Sequence, residues 1–189
     1  MAKEYKIALA GEGGQGVQSV AGIIVEAAND NGREALYIPN FGVEQRGGVS
    51  IAFVQIADEK IGSPKFKKAD IVIALSDRAV RRTAEYVDER TTFVYDTAIQ
   101  GVEEDLPKNA AKVYAIPAIS VAKNELHPRV FNIVIMGAVI EATKVIDVES
   151  AKKAIEKKLG YKFEQDPKLR ELNFKALERG IELVRRANS

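Results

Sequence analysis

The chain has 189 residues, 46% hydrophobic and 29% charged, an ordinary globular balance with enough apolar residues for a sizeable core. Its 28 Lys+Arg stand against 27 Asp+Glu, a net charge of +1 that lacks the basic excess of a dedicated nucleic-acid binder. With no cysteine and one histidine, His127, the sequence excludes disulfides, a thiolate nucleophile, and a Cys-ligated zinc, iron–sulfur cluster or His-rich metal site of its own.

In chain order, Ile7-Ala8-Leu9-Ala10 is a short apolar run closed by glycine, the pattern of a buried parallel strand. Val17, Val20, Ile24 and Ala27/Ala28 recur at helical spacing, and Asn31-Gly32 ends that helix with glycine as a left-handed cap. Ala35–Ile38 is a second strand stopped by Pro39, so the chain opens as a Rossmann-like βαβ unit, expected to be right-handed. Ser50 to Ala57 reads as a third strand, Asp58-Glu59-Lys60 as a hairpin turn returning through Ile61, and Ile71–Leu75 as the clearest buried strand. Asp77 to Val87 is expected to be helical, with strands at Thr91–Tyr95 and Lys112–Ile116.

Beyond Pro117 the pattern is mostly helical: Ala118–Leu126, a buried helix over Arg129–Val145, a helix over Val148–Leu159 capped by Asp147, a polar link from Gly160 to Asp166, and a last helix over Pro167–Arg186. The expected fold class is α/β: a three-layer α/β/α sandwich with a mostly parallel, mixed sheet and a helical C-terminal part, as a single domain over residues 1–189. The N-terminal residues run into a strand pattern with no apolar signal region, and the runs Ile71–Leu75 and Ile133–Ile140 are too short to span a bilayer. The expectation is a cytoplasmic protein with neither membrane nor nucleic acid as partner.

Two loops carry the functional signal. Gly11-Glu12-Gly13-Gly14-Gln15-Gly16 lies between a strand and a helix, the context in which glycines let backbone approach a ligand and helix N–H groups face an anion. It also lies at the carboxyl end of a strand, where open α/β sheets bind ligands. A dinucleotide fold would place an acid at the end of the second strand, where this chain has Tyr37-Ile38-Pro39-Asn40, and no Walker lysine follows Gly16. A turn that needs glycine only for close strand–helix packing is the plainer alternative. The second loop, Asn40 to Gly48, places Glu44 and Arg46 beside Gly42, Gly47 and Gly48, and a guanidinium is suited to a carboxylate or phosphate.

The two loops together, Gly11–Gly16 and Phe41-Gly42-Val43-Glu44-Gln45-Arg46-Gly47-Gly48, resemble the gamma subunit of the 2-oxoacid:ferredoxin oxidoreductases. The similarity continues through Asp70–Leu75, Ile116-Pro117-Ala118, Phe131–Ala138 and Asn173–Gly180, so it covers nearly the whole chain. The resemblance implies a subunit, inactive alone, of a complex that oxidatively decarboxylates a 2-oxoacid to an acyl-CoA and passes electrons to ferredoxin. It implies that thiamine diphosphate and iron–sulfur clusters sit on partner subunits, that this chain binds no cofactor alone, that coenzyme A is the co-substrate, and that ferredoxin is an indirect partner.

The implied cofactor-binding or cavity-lining residues are Gly11, Gly13, Gly14, Gln15, Gly16, Phe41, Gly42, Glu44, Arg46, Gly47 and Gly48, with no catalytic residue and no metal ligand. Gln45-Arg46-Gly47-Gly48 looks closer to the 2-oxoglutarate, branched-chain and indolepyruvate members, and Phe41-Gly42-Val43-Glu44 to pyruvate members, which leaves the 2-oxoacid open. The alternative is a stand-alone Rossmann-type nucleotide-binding module. Among other residues, His127 reads as a cap, Asn132 as a satisfied buried amide, and Asp96 and Thr97 as lining of the ligand edge. The runs Lys65–Lys68 and Arg78–Arg82 read as solvated faces.

Overall fold

Six strands form one mixed sheet in the order β2-β3-β1-β4-β5-β6, in a computed structural model that describes residues 3–41 and 48–188. The strands are β1 (Glu4–Gly11), β2 (Glu34–Asn40), β3 (Ser50–Ala57), β4 (Ile71–Ala74), β5 (Thr92–Asp96) and β6 (Lys112–Ile116). The parallel pairs are β1–β4, β4–β5 and β5–β6. Strand β3 alone runs against the rest, inserted between β1 and β2 and antiparallel to both. The opening βαβ unit is therefore split: β1 and β2 point the same way but do not touch.

That insertion explains why no hairpin returns through Ile61. Strand β3 is paired along its whole length with β1 on one side and β2 on the other, so it offers no edge to a returning strand. Asp58 instead accepts the Lys3 N–H and the Arg33 guanidinium, tying the chain terminus to the end of α1.

The helices are α1 (Val17–Asp30), α2 (Asp77–Thr83), α3 (Ala118–Glu125), α4 (Phe131–Thr143), α5 (Val148–Gln165) and α6 (Pro167–Ala187). The two sheet faces are covered unequally. One bears the large core, in which Ile7, Leu9, Val54, Ile56 and Ile73 meet α1, α3, α4, α5 and α6. The other packs Ala8, Ala10, Ile51, Val72 and Phe93 against α2 and the chain around Val87 and Val102. Helix α4 is apolar on every side and buried from Ile133 to Ile140, as its sequence predicts. Among the described residues, no helix is long and apolar enough to cross a membrane.

Helix ends follow their chemistry. Gly32 has φ 73°, and the Gly32 and Arg33 N–H groups donate back to the Asn29 and Ala28 carbonyls, closing α1 as expected. Asp147 accepts the Ser150 N–H at 2.8 Å and starts α5. Helix α5 then runs through Gly160 to Gln165, where the sequence predicts a polar link. Burial of Phe163 holds that last stretch, and the break comes one residue later, at Asp166-Pro167, because proline disfavours helical backbone in the residue before it.

Gly160 thus costs helix propensity without serving the packing: a Cβ there would meet nothing within 4 Å. Gly160→Ala is expected to raise stability by about 1 kcal/mol, and hence the thermal midpoint by roughly 2–4 °C, measured by calorimetry. An unchanged or lower midpoint would mean that α5 does not run through this position.

Candidate functional site

The carboxyl ends of β1 and β4 lie side by side, Ala10 opposite Ala74. From here the chain diverges: β1 leads into α1 on one face and β4 into α2 on the other. This is the switch-point crevice of an open α/β sheet. The glycine turn sits in it, and the turn's residues are glycine for different reasons. A Cβ at Gly11 would lie 2.6 Å from Gln15 Oε1 and 2.9 Å from Val17 Cγ2. Gly14 and Gly16 hold φ of 92° and 75°, and a Cβ at Gly16 would also lie 2.6 Å from Asn132 Cβ. Gly13 is exposed, has no such φ, and would place a Cβ in open space.

The crevice is filled by the chain itself. The Gln15 side chain accepts the Glu12 N–H at 2.7 Å and donates to the Leu75 carbonyl at 2.8 Å, spanning the ends of β1 and β4. A dinucleotide needs that approach open for its pyrophosphate and an acid at the end of the second strand for its ribose, and this chain offers neither. The stand-alone nucleotide module therefore finds no support in the geometry. Helix α1 begins at Gly16 with no side-chain cap and no acid in its first turn.

Outside the turn lies an open depression of about 310 Å³ lined by Gly14, Gln15, Ile119, Ala122, Lys123, Pro128 and Phe131. One wall is the turn; the other is α3 and the start of α4. The sequence reading misses that second wall. Its signal was present in Pro117, which ends the strand pattern and so launches α3 from the same carboxyl edge.

The second loop belongs to the same edge by register. Ser50 pairs with Gly11 and Ile51 with Asn40, so both ends of the loop, Phe41 and Gly48, leave the sheet beside the glycine turn. Phe41 is 69% exposed and Gly48 half-buried. Gly42, Glu44, Arg46 and Gly47 lie outside the described residues. Behind this edge the Tyr37 hydroxyl donates to Gln18 Oε1, while Gln18 Nε2 is buried with no partner among the described residues. Burial holds the Tyr37 phenol above its usual titration.

Other readings resolve as follows. His127 caps a short 3-10 turn, its Nδ1 accepting the Arg129 N–H at 3.1 Å. Asn132 is half-buried and makes no side-chain hydrogen bond among the described residues, so it is not the satisfied amide expected; its Cβ serves as the surface on which Gly16 rests. Asp96 does not line the edge. It is fully buried and accepts the Ala98 and Ile119 N–H groups, each at 2.8 Å. The basic run 65–68 is only partly solvated: Phe66 packs edge-on against Phe53, and Lys68 Nζ donates to the Glu85 and Val87 carbonyls.

Comparison with known proteins bears on this geometry. The sequence matches the family described as pyruvate ferredoxin/flavodoxin oxidoreductase over residues 6–183. It is 31% identical over 185 residues to the ketoisovalerate oxidoreductase subunit VorA of Methanothermobacter marburgensis, covering 97% of this chain but 37% of that one. This chain thus spans little more than a third of the length of that curated relative. The fold is similar to the gamma subunit of a keto/oxoacid ferredoxin oxidoreductase from Geobacter sulfurreducens (TM-score 0.80, 28% identity, 98% of each chain). It is also similar to the 2-oxoglutarate:ferredoxin oxidoreductase of Magnetococcus marinus, solved with 2-oxoglutarate, coenzyme A and succinyl-CoA bound (TM-score 0.87, 25% identity, 97% of this chain, 31% of that one).

Proposed function

The chain belongs to the pyruvate ferredoxin/flavodoxin oxidoreductase family, and from that premise we propose that it is the gamma subunit of a multi-subunit 2-oxoacid:ferredoxin oxidoreductase. The complex converts a 2-oxoacid and coenzyme A to an acyl-CoA and carbon dioxide, passing two electrons to ferredoxin. This chain acts as one gamma-type domain of a cytoplasmic complex and is inactive alone. Thiamine diphosphate, on a partner subunit, supplies the carbanion chemistry of decarboxylation, and iron–sulfur clusters on another carry the electrons. A cluster does not fit this chain, which has no cysteine and one histidine, His127, whose Nδ1 already caps a turn. The observation that carries the reading is the unbroken family likeness over residues 6–183, which includes the glycine turn and the second loop.

The chain's own part is to wall a cavity completed by its partners. Gly14 and the seated Gln15 form one side, exposed Gly13 stands next to them on the turn, and Gly11 and Gly16 shape the turn behind. Ile119, Ala122 and Phe131 form an apolar second side, and the Lys123 ammonium stands at the rim. We extend the proposal to the second loop, whose described ends Phe41 and Gly48 leave the same edge of the sheet; Gly42, Glu44, Arg46 and Gly47 are proposed with them, a guanidinium such as that of Arg46 being suited to an anionic group of substrate or coenzyme A. Substrate names among the relatives span ketoisovalerate and 2-oxoglutarate, so the class stated here is 2-oxoacid.

Anaerobic purification from the native host on a tag carried by this chain is expected to bring down a thiamine-binding subunit and an iron–sulfur protein; recovery of this chain alone would overturn the reading. Within the assembled complex, Gly13→Leu is expected to leave the folding of this chain intact, since among the described residues nothing lies within 4 Å of a Cβ there. Turnover should fall by on the order of tenfold or more, because the new side chain intrudes on the cavity. Wild-type turnover would remove the turn from the site.

A further inference from the structure

The Gln15 carboxamide is seated against the Gly11 Cα and joins two backbone groups that belong to different strand ends. Its oxygen accepts the Glu12 N–H at 2.7 Å, and its nitrogen donates to the Leu75 carbonyl at 2.8 Å. The Leu75 N–H in turn donates to the Ala10 carbonyl at 2.9 Å, so the amide closes a ring of hydrogen bonds across the crevice. The Gln15 N–H also donates to the Glu12 carbonyl at 3.2 Å, which folds the turn back on itself. An acceptor and a donor are needed at one reach, and a primary amide supplies both. A carboxylate has two acceptors, and an aliphatic side chain has neither.

We propose that Gln15 is the positioning residue of this site: it locks the glycine turn from inside, so that Gly13 and Gly14 stand at a fixed place on the outer rim. Two observations point the same way. Gly11 is kept bare because the amide occupies the space of its Cβ. Gly13 is bare although no described residue crowds a Cβ there, which leaves the room on the outer side for whatever the rim meets. The consequence for turnover rests on the functional reading above; the lock itself does not.

The discriminating variant is Gln15→Glu, nearly isosteric but with the wrong hydrogen-bond pattern. At neutral pH its carboxylate would face the Leu75 carbonyl, acceptor against acceptor. When protonated, the same carboxyl can accept from Glu12 N–H and donate to Leu75 O, restoring both bonds. The fold therefore holds the proton more tightly than the unfolded chain, in which a glutamate titrates near ~4.3. With more protons bound in the folded state, stability of the variant falls as pH rises through that window. Among the described residues, Glu12 and, across the depression, Lys123 are the charged groups near the new carboxyl. Both are present in wild type, whose own pH profile subtracts them.

The measurement is amide hydrogen exchange over residues 12–16 and thermal denaturation of the full chain between pH 4 and 8. At pH 7 Gln15→Glu is expected to lower protection of the turn by about tenfold, the equivalent of one lost hydrogen bond, and the deficit should shrink on acidification. A variant that tracks wild type at pH 7, or a deficit that is the same at every pH, overturns the lock. In the assembled complex at neutral pH, the same variant is expected to raise the KM for the 2-oxoacid or for coenzyme A more than it lowers kcat. If the pH signature appears but the kinetics match wild type, the lock stands and the turn's place in the cavity falls.

Discussion

Gly180→Ala is expected to cost about 3 kcal/mol or more of stability, at or beyond the upper range of core overpacking, and to lower the thermal midpoint by roughly 10 °C. The change is one methyl group, and by helix propensity alone it should stabilise a helix interior by about 1 kcal/mol. Contact geometry reverses that sign. A Cβ at Gly180 would stand 1.9 Å from the Val134 carbonyl oxygen and 3.1 Å from the Ala138 N; one at Gly137 would stand 2.1 Å from the Leu177 oxygen. Helices α4 and α6 therefore cross backbone to backbone, through a glycine from each.

Neither backbone can rotate aside as a side chain would. Helix α4 is buried on all sides, so the strain must be relieved by lifting α6, which carries Ala176, Leu177, Ile181 and Val184 in the core. Denaturant titration of Gly180→Ala beside Gly160→Ala makes the comparison direct: the same substitution in two helices should move stability in opposite directions. A Gly180→Ala chain as stable as wild type would mean that the helices are not in backbone contact.

That crossing marks where the sequence stops being readable. The apolar period of residues 133–140 announces a buried helix, and Leu172, Leu177, Ile181 and Val184 announce the stripe on α6, because burial and periodicity are local properties of a segment. Which two segments touch is not local, and two glycines 43 positions apart carry no pattern that pairs them. The insertion of β3 between β1 and β2 was hidden for the same reason, since a strand's own residues do not say which edges it will find open. At Gly160 the error ran the other way: a local helix-breaking signal was overruled by the burial of Phe163.

The site divides along similar lines. The glycine turn was legible because strand, glycines and helix are contiguous, and the second loop reaches the same edge through the strand register. The wall from α3 and α4 was not, because Ile119, Ala122 and Phe131 are ordinary apolar residues until the fold sets them opposite Gly14. Asp96 was placed at the right edge and given the wrong work. Its position at a strand end is a sequence property; its burial is a property of α3 packing over it.

Asp96→Ala carries the second large expected effect, about 3 kcal/mol of lost stability, from the loss of two hydrogen bonds to a charged acceptor, at about 1.5 kcal/mol each. The residue is 0% exposed, and its two oxygens accept the Ala98 and Ile119 N–H groups at 2.8 Å each. Helix α3 begins after Pro117, which supplies no side-chain cap. Asp96, at the end of β5, is its cap from a distance, binding the exit of one strand to the start of the helix that follows another. Burial pushes the Asp96 carboxyl above its usual range, while N–H groups of Ala98, Ile119 and Ala118 pull the other way.

Asp96→Asn keeps one acceptor but turns an amide N–H towards a backbone donor, so it should recover no more than about half of the loss. The local consequence distinguishes a cap from generic packing. Amides at the start of α3 should lose protection first, while those of α4 and α6 exchange only with global unfolding. Since α3 contributes Ile119, Ala122 and Lys123 to the depression beside the glycine turn, its loosening should, on the proposed function, also impair turnover of the complex before it impairs assembly. Protection from exchange that falls equally across α3, α4 and α6 in Asp96→Ala would rule out the cap and leave Asp96 as one more buried group in the core.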